Sequence, residues 1–234
     1  MGLAGAVLSQ HTDPLAVPDL GGERPQQPAP RQTLTLDRIV AEAVALLDEE
    51  GVARLTMRRL AERLDTGSTT LYWHVKTKDD VLDLALDAVF GEVRLPAGGS
   101  GWQGAVRELI GGWRAALLRH PWSATILDRP LMGPNALERT EFLYATLAAA
   151  GFAAPKPAAY SLSNYVMGSV VMQVTWQDRD RDDTGEFLRE RADRYPALAE
   201  HGLDHAWDAT FDEGLGYLLD GMEQSRRRED GRLG

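Results

Sequence analysis

The stretch that decides the fold is TMRRLAERLDTGSTTLYWHVKTK, residues 56–78. Its apolar spacing predicts two short helices, separated by a turn of small residues at Asp65–Gly67. The second helix carries hydroxyl, aromatic and imidazole side chains over about two turns. A helix this short adds little to a core, whereas its outward side chains can hydrogen-bond base edges and phosphates. The pattern therefore predicts a helix-turn-helix motif.

The residues before this stretch predict a third helix. Thr35 is a good N-cap, and Gly51 is a typical stop after the last turn. Between them an apolar stripe recurs at helical spacing, formed by Ile39, Ala43, Leu46 and Leu47. Thr56 caps the next helix, and Leu71 and Val75 of the last one are expected to point inward. Residues 35–75 are thus predicted to form a three-helix DNA-binding unit.

Each polar side chain of the motif has an expected role on DNA. Arg58 is the best candidate for a bidentate contact with a guanine edge, and Lys78 is placed to anchor a phosphate. Trp73 has two possible positions, packed inward between the domains or lying on the DNA backbone. The complete set of candidate DNA contacts is Thr56, Arg58, Ser68, Thr69, Thr70, Tyr72, Trp73, His74 and Lys78.

The motif TTLYWHVKTK, preceded by LTMRRLAERL and by a helix ending at Gly51, resembles the amino-terminal domain of the tetracycline-repressor (TetR) family. The segments LPAGGSGWQ (95–103) and ALLRH (116–120) extend the resemblance. Asp65 and Thr66 depart from the family pattern, which usually has Gly and then an apolar residue. The resemblance implies a ligand-responsive, dimeric repressor, in which an effector swings the helix that links the two domains and releases DNA.

Charge is distributed unevenly along the chain. The formal net charge is −10, which is unusual for a DNA-binding protein. Residues 34–78, however, carry seven basic and seven acidic side chains, whereas residues 79–234 carry 16 basic and 25 acidic ones. The excess acid therefore lies outside the predicted DNA-binding unit.

The sequence also bears on the compartment. The chain has no cysteine, which excludes disulfides and thiolate metal sites and favours a reducing compartment. A membrane span and a secretory signal are not expected, because no apolar run is long enough. We expect a cytoplasmic protein with no membrane partner.

Three segments are predicted. Residues 1–31 hold five of the twelve prolines and read as a disordered arm that is dispensable for DNA binding. Residues 32–78 form the DNA-binding domain, and residues 79–234 form an all-α domain for ligand binding and dimerisation. The helices predicted in this last domain span residues 78–93, 102–120, 122–127, 135–150, 158–177, 186–194 and 203–228.

Two of these helices predict a homodimer. The helix over 158–177 is apolar on nearly every side, so all of its faces need cover. The helix over 203–228 contains three glycines, each of which costs about 1 kcal/mol relative to alanine. Such glycines suit close packing of helix backbones. The resemblance implies that both helices form a four-helix bundle across a two-fold axis, and the alternative is an ordinary core within one chain.

No catalytic motif is legible, so we do not expect an enzyme. His201 and His205 are four residues apart, but no third metal ligand is evident, and no metal or cofactor is expected. Aromatic and soft apolar residues instead suggest an effector chamber, although each of them could simply fill the core. The candidate effector contacts are Trp113, Trp122, Phe142, Tyr165, Met172, Gln173 and Trp176.

The effector is expected to be apolar and aromatic. Family members that bind tetracycline hold a drug–magnesium chelate partly through histidine, and this chain has no histidine near 92–94 or 127. The favoured function is a repressor released from a palindromic operator by such an effector. Two alternatives stay open: a constitutive DNA-binding protein without an effector, and a helical small-molecule-binding protein whose DNA-binding unit is vestigial.

Overall fold

The computed structural model describes residues 33–176, 184–203 and 206–233. The predicted arm at 1–31, most of the predicted charged loop at 179–185, and His205 lie outside these ranges. Within them the chain is helical and contains no strand, which confirms the all-α prediction. The helices are α1 (Leu36–Glu50), α2 (Met57–Arg63), α3 (Ser68–Leu71), α4 (Lys78–Gly91), α5 (Gly101–Arg119), α6 (Pro134–Ala149), α7 (Pro155–Trp176), α8 (Thr184–Arg189), α9 (Pro196–His201) and α10 (Trp207–Leu233).

The first three helices form as their capping residues predict. The Thr35 hydroxyl accepts a hydrogen bond from the backbone N–H of Arg38 at 3.2 Å, and Thr56 does the same for Arg59 at 3.1 Å. The predicted stripe of α1 is buried. Gly51, at φ 75°, has the left-handed backbone that favours glycine after a helix.

The turn between α2 and α3 uses an unusual residue for its geometry. Asp65 has φ 49°, a left-handed conformation that Asp tolerates better than most residues with a side chain. The backbone N–H of Thr66 donates to Ala61 O at 3.0 Å and closes the turn. The departure from glycine at this position therefore leaves the helix-turn-helix geometry intact. Gly67 is the N-cap of α3 but offers no side-chain hydrogen bond.

The linking helix α4 begins with a capping box, in which the side chains of Thr77 and Asp80 each accept from the other's backbone N–H. It packs against α1, α5 and α6. The Asp87 carboxylate accepts from the backbone N–H of Ala136 at 2.9 Å, at the start of α6. Buried Arg139 donates to the carbonyl of Val93 from Nε at 3.0 Å, so α6 holds both the middle and the end of α4.

The larger part of the chain is a helical bundle around α5, which packs against α4, α6 and α7. Its apolar residues are continuous with those of the first three helices, and 34–234 form one compact unit. The predicted boundary at Lys78 stays a prediction. Several helix predictions differ from the structure. Helix α7 begins at Pro155 instead of 158, α8 ends at Arg189 instead of 194, α9 follows as a separate helix, and α10 spans Trp207–Leu233 instead of 203–228. Pro196 starts α9 because a proline fits the first helical turn, where its missing N–H is not needed.

No described helix combines the length and the apolar character that a membrane crossing needs.

Candidate DNA-binding surface and effector domain

The outward face of α3 and the turn after it carries the predicted recognition residues. Leu71 and Val75 are buried and fix this segment to the core. The side chains that project away from the core are exposed and belong to Thr69, Thr70, Tyr72, Trp73 and His74, with Ser68 half-buried. Trp73 is 79% exposed, so of its two predicted positions the structure shows the outward one. These residues form a contiguous polar and aromatic surface, which we call the recognition surface.

The arginines of α2 are held by carboxylates. Arg58 Nε lies 2.9 Å from Glu62 Oε1, one turn further along the same helix. Arg59 pairs with Glu50, and Arg63 pairs with both Glu42 and Glu49. Their hydrogen bonds lower the pKa values of Glu49 and Glu50 below the ordinary range. Arg59 and Arg63 therefore tie α2 to α1, whereas the partner of Arg58 among the described residues, Glu62, lies within α2.

Lys78 lies at the first residue of α4 and is half-buried. Its Nζ donates a hydrogen bond to the carbonyl of Val52 at 2.8 Å, in the 3-10 turn between α1 and α2. An ammonium group has three donors, so Lys78 can hold this carbonyl and still bind a phosphate. Its predicted role as a phosphate anchor stays a prediction.

A histidine joins the first helices to the bundle. His120, the C-cap residue of α5, is 9% exposed. Its Nδ1 lies 2.8 Å from Asp48 Oδ1 on α1, and its Nε2 lies 2.8 Å from Glu92 Oε1 at the end of α4. Trp122 Nε1 also donates to Asp48 Oδ1, at 2.7 Å. We call these four residues the His120 junction. Sequence spacing did not indicate it, because its members lie far apart in the chain.

The seven predicted effector contacts lie in different parts of the bundle. Trp113 is buried in the core, where its ring makes an edge contact with Phe90 at 5.7 Å between centroids. Trp122 belongs to the His120 junction, where its indole donates to Asp48. Phe142 lines a groove of about 560 Å³ between the 96–101 loop and the ends of α5 and α6. The structure therefore does not bring all seven to one cavity, and their contact with an effector stays a prediction.

The other predicted effector contacts lie on α7. The Tyr165 hydroxyl donates to the carbonyl of Phe211 at 2.8 Å, and the two rings stack at 5.1 Å. Met172 and Trp176 are about two-fifths exposed, at 41% and 40%. Gln173 Oε1 accepts a hydrogen bond from Arg114 at 2.6 Å. Tyr165 and Gln173 therefore lie on either side of a polar cluster between α5, α7 and α10.

Arg114 is the centre of that cluster, and sequence reasoning missed it. This arginine is 9% exposed, and its guanidinium lies 4.8 Å from the centroid of the Phe211 ring. Its Nη1 pairs with Asp208 Oδ1 at 2.7 Å. Its Nε has no acceptor among the described residues, nor has Trp113 Nε1. A signal was present in the sequence, since Arg114 occupies an apolar position of the α5 stripe between Ile110 and Leu117.

No group of three or more His, Cys, Asp or Glu side chains among the described residues is placed to hold a metal ion. His201 is exposed on α9, and its Nε2 lies 4.0 Å from Glu200 Oε2.

Comparisons with known proteins bear on both halves of the chain. A family model described as bacterial regulatory proteins, tetR family, matches residues 39–85. A second, described as Tetracyclin repressor-like, C-terminal domain, matches residues 95–226. A curated HTH-type transcriptional regulator from Saccharopolyspora erythraea is 51% identical over 212 residues, which cover 85% of this chain and 89% of the relative. The chain belongs to the TetR family.

Two further TetR-family proteins are similar over most of their length. The HTH-type transcriptional repressor DrrR1 of Streptomyces coeruleorubidus is 35% identical, with 86% of this chain and 82% of the relative covered. The crystal structure of the Streptomyces coelicolor TetR family protein ActR in complex with actinorhodin matches with a TM-score of 0.76 and 31% identity, and covers 83% of this chain and 99% of that one. The chain is thus a DNA-binding transcriptional regulator of the TetR family, and its relatives are regulators instead of enzymes.

Proposed function

We propose that the protein is a homodimeric repressor that binds a two-fold symmetric operator and leaves it when a small, mostly apolar, aromatic effector binds. The observation that carries this proposal is the recognition surface, in which buried Leu71 and Val75 support a row of exposed hydroxyl and aromatic side chains. Operator DNA lies in the cytoplasm, so we place the protein there. It needs no catalytic group and no cofactor for this function.

On DNA, the recognition surface is proposed to enter the major groove. Ser68, Thr69, Thr70, Tyr72 and His74 would contact base edges, thymine methyl groups or phosphates. The exposed indole of Trp73 fits a position along the sugar–phosphate backbone. Arg58 would exchange its exposed carboxylate partner for a guanine edge, since such exposed ion pairs are worth little. Thr56 and Lys78 flank the surface and would bind phosphates.

The dimer is supported by an uncovered face on α7 and α10. Exposed positions recur along one side of α7 at Tyr160, Asn164, Gly168, Val171 and Thr175. On α10 the exposed side chains include Tyr217, and Gly221 is also exposed. A two-fold pair of such faces makes a four-helix interface, and a dimer of this kind sets its recognition helices about 34–36 Å apart, one turn of DNA.

The chemical class of the effector is inferred from the bundle and from ActR, whose structure contains actinorhodin. The aromatic side chains of Trp113, Phe142, Tyr165 and Trp176 favour an aromatic molecule. The buried guanidinium of Arg114 adds a donor that can bind a carbonyl, phenol or carboxylate oxygen of the effector. We therefore expect an aromatic effector that carries oxygen substituents and needs no metal.

Release of DNA by a panel of compounds tests the effector class. Lipophilic oxygenated aromatics are expected to release a labelled operator in a gel-shift assay, equally well with and without a chelator. Tetracycline with Mg²⁺ is expected to release it poorly. Strong release by tetracycline that a chelator abolishes would overturn the proposal that the effector binds without a metal. If no compound releases the operator, the result would favour a constitutive DNA-binding protein.

Gln173→Leu is expected to raise the effector concentration needed for release by about 10- to 150-fold, since a lost hydrogen bond to a charged group is worth about 1.5–3 kcal/mol. Operator affinity without effector should stay within about twofold, because Gln173 lies in the bundle and not on the recognition surface. Release assays with the most active panel compound measure this shift. Glu141→Gln, at an exposed position on α6, is the control. If the effector response of Gln173→Leu is unchanged, the polar cluster is not part of the effector site.

A further inference from the structure

The His120 junction places two carboxylates against the imidazole ring, and a neutral ring can donate a hydrogen bond to only one of them. Both ring nitrogens lie 2.8 Å from a carboxylate oxygen, one from Asp48 and one from Glu92. An ionised carboxylate only accepts hydrogen bonds, and neutral imidazole has one donor and one acceptor nitrogen. Only the imidazolium can donate to both. In the neutral form, one nitrogen lone pair faces a carboxylate oxygen at hydrogen-bond distance.

Glu92 keeps its charge in this arrangement. Partial burial alone would raise the pKa of Glu92, but hydrogen bonds from Arg119 and His120 outweigh burial and hold the pKa below its ordinary value. Arg119 Nε donates to Glu92 Oε2 at 3.1 Å, on the side away from His120. The charged groups around the ring are therefore Asp48 from α1, Glu92 from α4 and Arg119 from α5. The 3-10 turn that follows α5 contributes the uncharged indole of Trp122.

The junction lies on a short path to the recognition surface. Asp48 is one of the last residues of α1, and its neighbours Glu49 and Glu50 form ion pairs with Arg63 and Arg59 of α2. The next element along the chain is α3, which packs on α2. On the other side, His120 ends α5, the central helix of the bundle, and Glu92 ends the linking helix α4. A change in the protonation of the His120 ring therefore alters the contacts among α1, α4 and α5.

We propose that His120 is a positioning residue whose proton holds the DNA-binding helices in register with the bundle. The imidazolium clamps α1 to the ends of α4 and α5. Loss of the proton breaks one of the two hydrogen bonds, loosens the recognition surface and weakens operator binding. A restrained recognition surface binds more tightly because less freedom is lost on binding. The protein is therefore sensitive to pH at a site away from the recognition surface.

Glu92→Gln provides the decisive test. The glutamine amide nitrogen can take the place of Oε1 and donate to a neutral His120, while its oxygen takes the place of Oε2 and accepts from Arg119. The neutral ring then donates to Asp48, so every partner is satisfied without the extra proton. This variant is expected to retain tight operator binding at alkaline pH, where the wild-type protein loses it.

The measurement is operator affinity by fluorescence anisotropy, with a duplex selected by the wild-type protein from a random library. Wild-type affinity should fall about five- to tenfold from acidic to alkaline pH. After division by the change in random-duplex binding, the affinity of Glu92→Gln should change by less than about twofold. His120→Gln should bind more weakly than wild type at low pH and should lack the fall. Parallel pH profiles for wild type and Glu92→Gln would overturn the proposal.

Because this role for His120 rests on the proposed operator-binding function, a second measurement omits DNA. Nitrogen-15 NMR of the histidine rings follows the His120 proton directly, and paired spin labels on exposed positions of α3 and α6 follow the DNA-binding helices. The label distance distribution is expected to broaden over the pH interval in which His120 loses its proton, and to stay narrow in Glu92→Gln. If the label distances do not change when His120 loses its proton, the proposed role of His120 is wrong, whether or not an operator is found. If the label distances do change with the protonation of His120 but no operator is found, the result would count against the proposed function alone.

Discussion

Arginine in place of Gly168 or Gly221 is expected to give a folded monomer that no longer binds its operator. Both glycines lie on the uncovered face of α7 and α10, and no described atom lies within 4 Å of a Cβ added at either position. The subunit therefore has room for the new side chain. Within the helix, replacing glycine removes a penalty of about 1 kcal/mol. In the proposed four-helix interface, by contrast, a buried and unpaired arginine blocks close approach of the partner helices.

Operator affinity should fall by about 100-fold or more, because a monomer loses the effective concentration that links the two half-sites. Sedimentation velocity at micromolar concentration gives the oligomeric state, and circular dichroism melts show that the fold is retained. Ala145→Arg, at an exposed position on α6, is the matched control and should stay dimeric. A wild-type monomer, or a dimer that tolerates both substitutions, would contradict the proposed interface.

The structure also shows why the choice of position matters in such a test. Val170 lies in the same apolar helix and looks equivalent in sequence, yet it is completely buried within the subunit. An arginine there would unfold the chain instead of separating two chains. Sequence periodicity could not divide α7 into an inner and an outer face, because apolar residues occur on both. Only the packing of α5, α6 and α10 against α7 assigns each residue to one side.

Local signals predicted the helices well because their causes are local. Thr35, Gly51 and Thr56 begin or end helices through contacts within a few residues, so the sequence carries the whole reason. The recognition surface followed from the same short-range logic. Asp65 shows the limit: the sequence marked it as a departure, but only the backbone angle shows that an aspartate can adopt the required turn.

The remaining site residues depend on contacts between distant segments. His120 meets Asp48 across 72 positions of sequence, and Arg114 meets Gln173 across 59. No spacing rule connects such residues. Trp122 illustrates the consequence, since an aromatic residue chosen for a chamber wall is in fact a hydrogen-bond donor to α1. Composition could indicate the chemistry of the effector domain but not which side chains share a space.

Arg58→Ala is expected to lower affinity for the operator by about 5- to 150-fold and to leave binding to random duplex almost unchanged. The loss corresponds to one bidentate arginine–guanine contact, worth about 1–3 kcal/mol of discrimination. Arg58 suits this role because its side chain is 87% exposed and its ion-pair partner in the described part of the chain, Glu62, lies on the same helix. Arg59 and Arg63 hold α2 to α1, so they are less free to contact bases.

Lys78→Ala is the matched comparison, because its expected partner is a phosphate. It should weaken operator and random duplex by similar factors and reduce the slope of log affinity against log salt by about one. Lys78 also donates to the carbonyl of Val52, so thermal melts must accompany this variant. Salt titrations of both variants on both duplexes separate the two roles. If Arg58→Ala weakens both duplexes equally and lowers the salt slope, Arg58 binds phosphate, and base discrimination must come from the recognition surface alone.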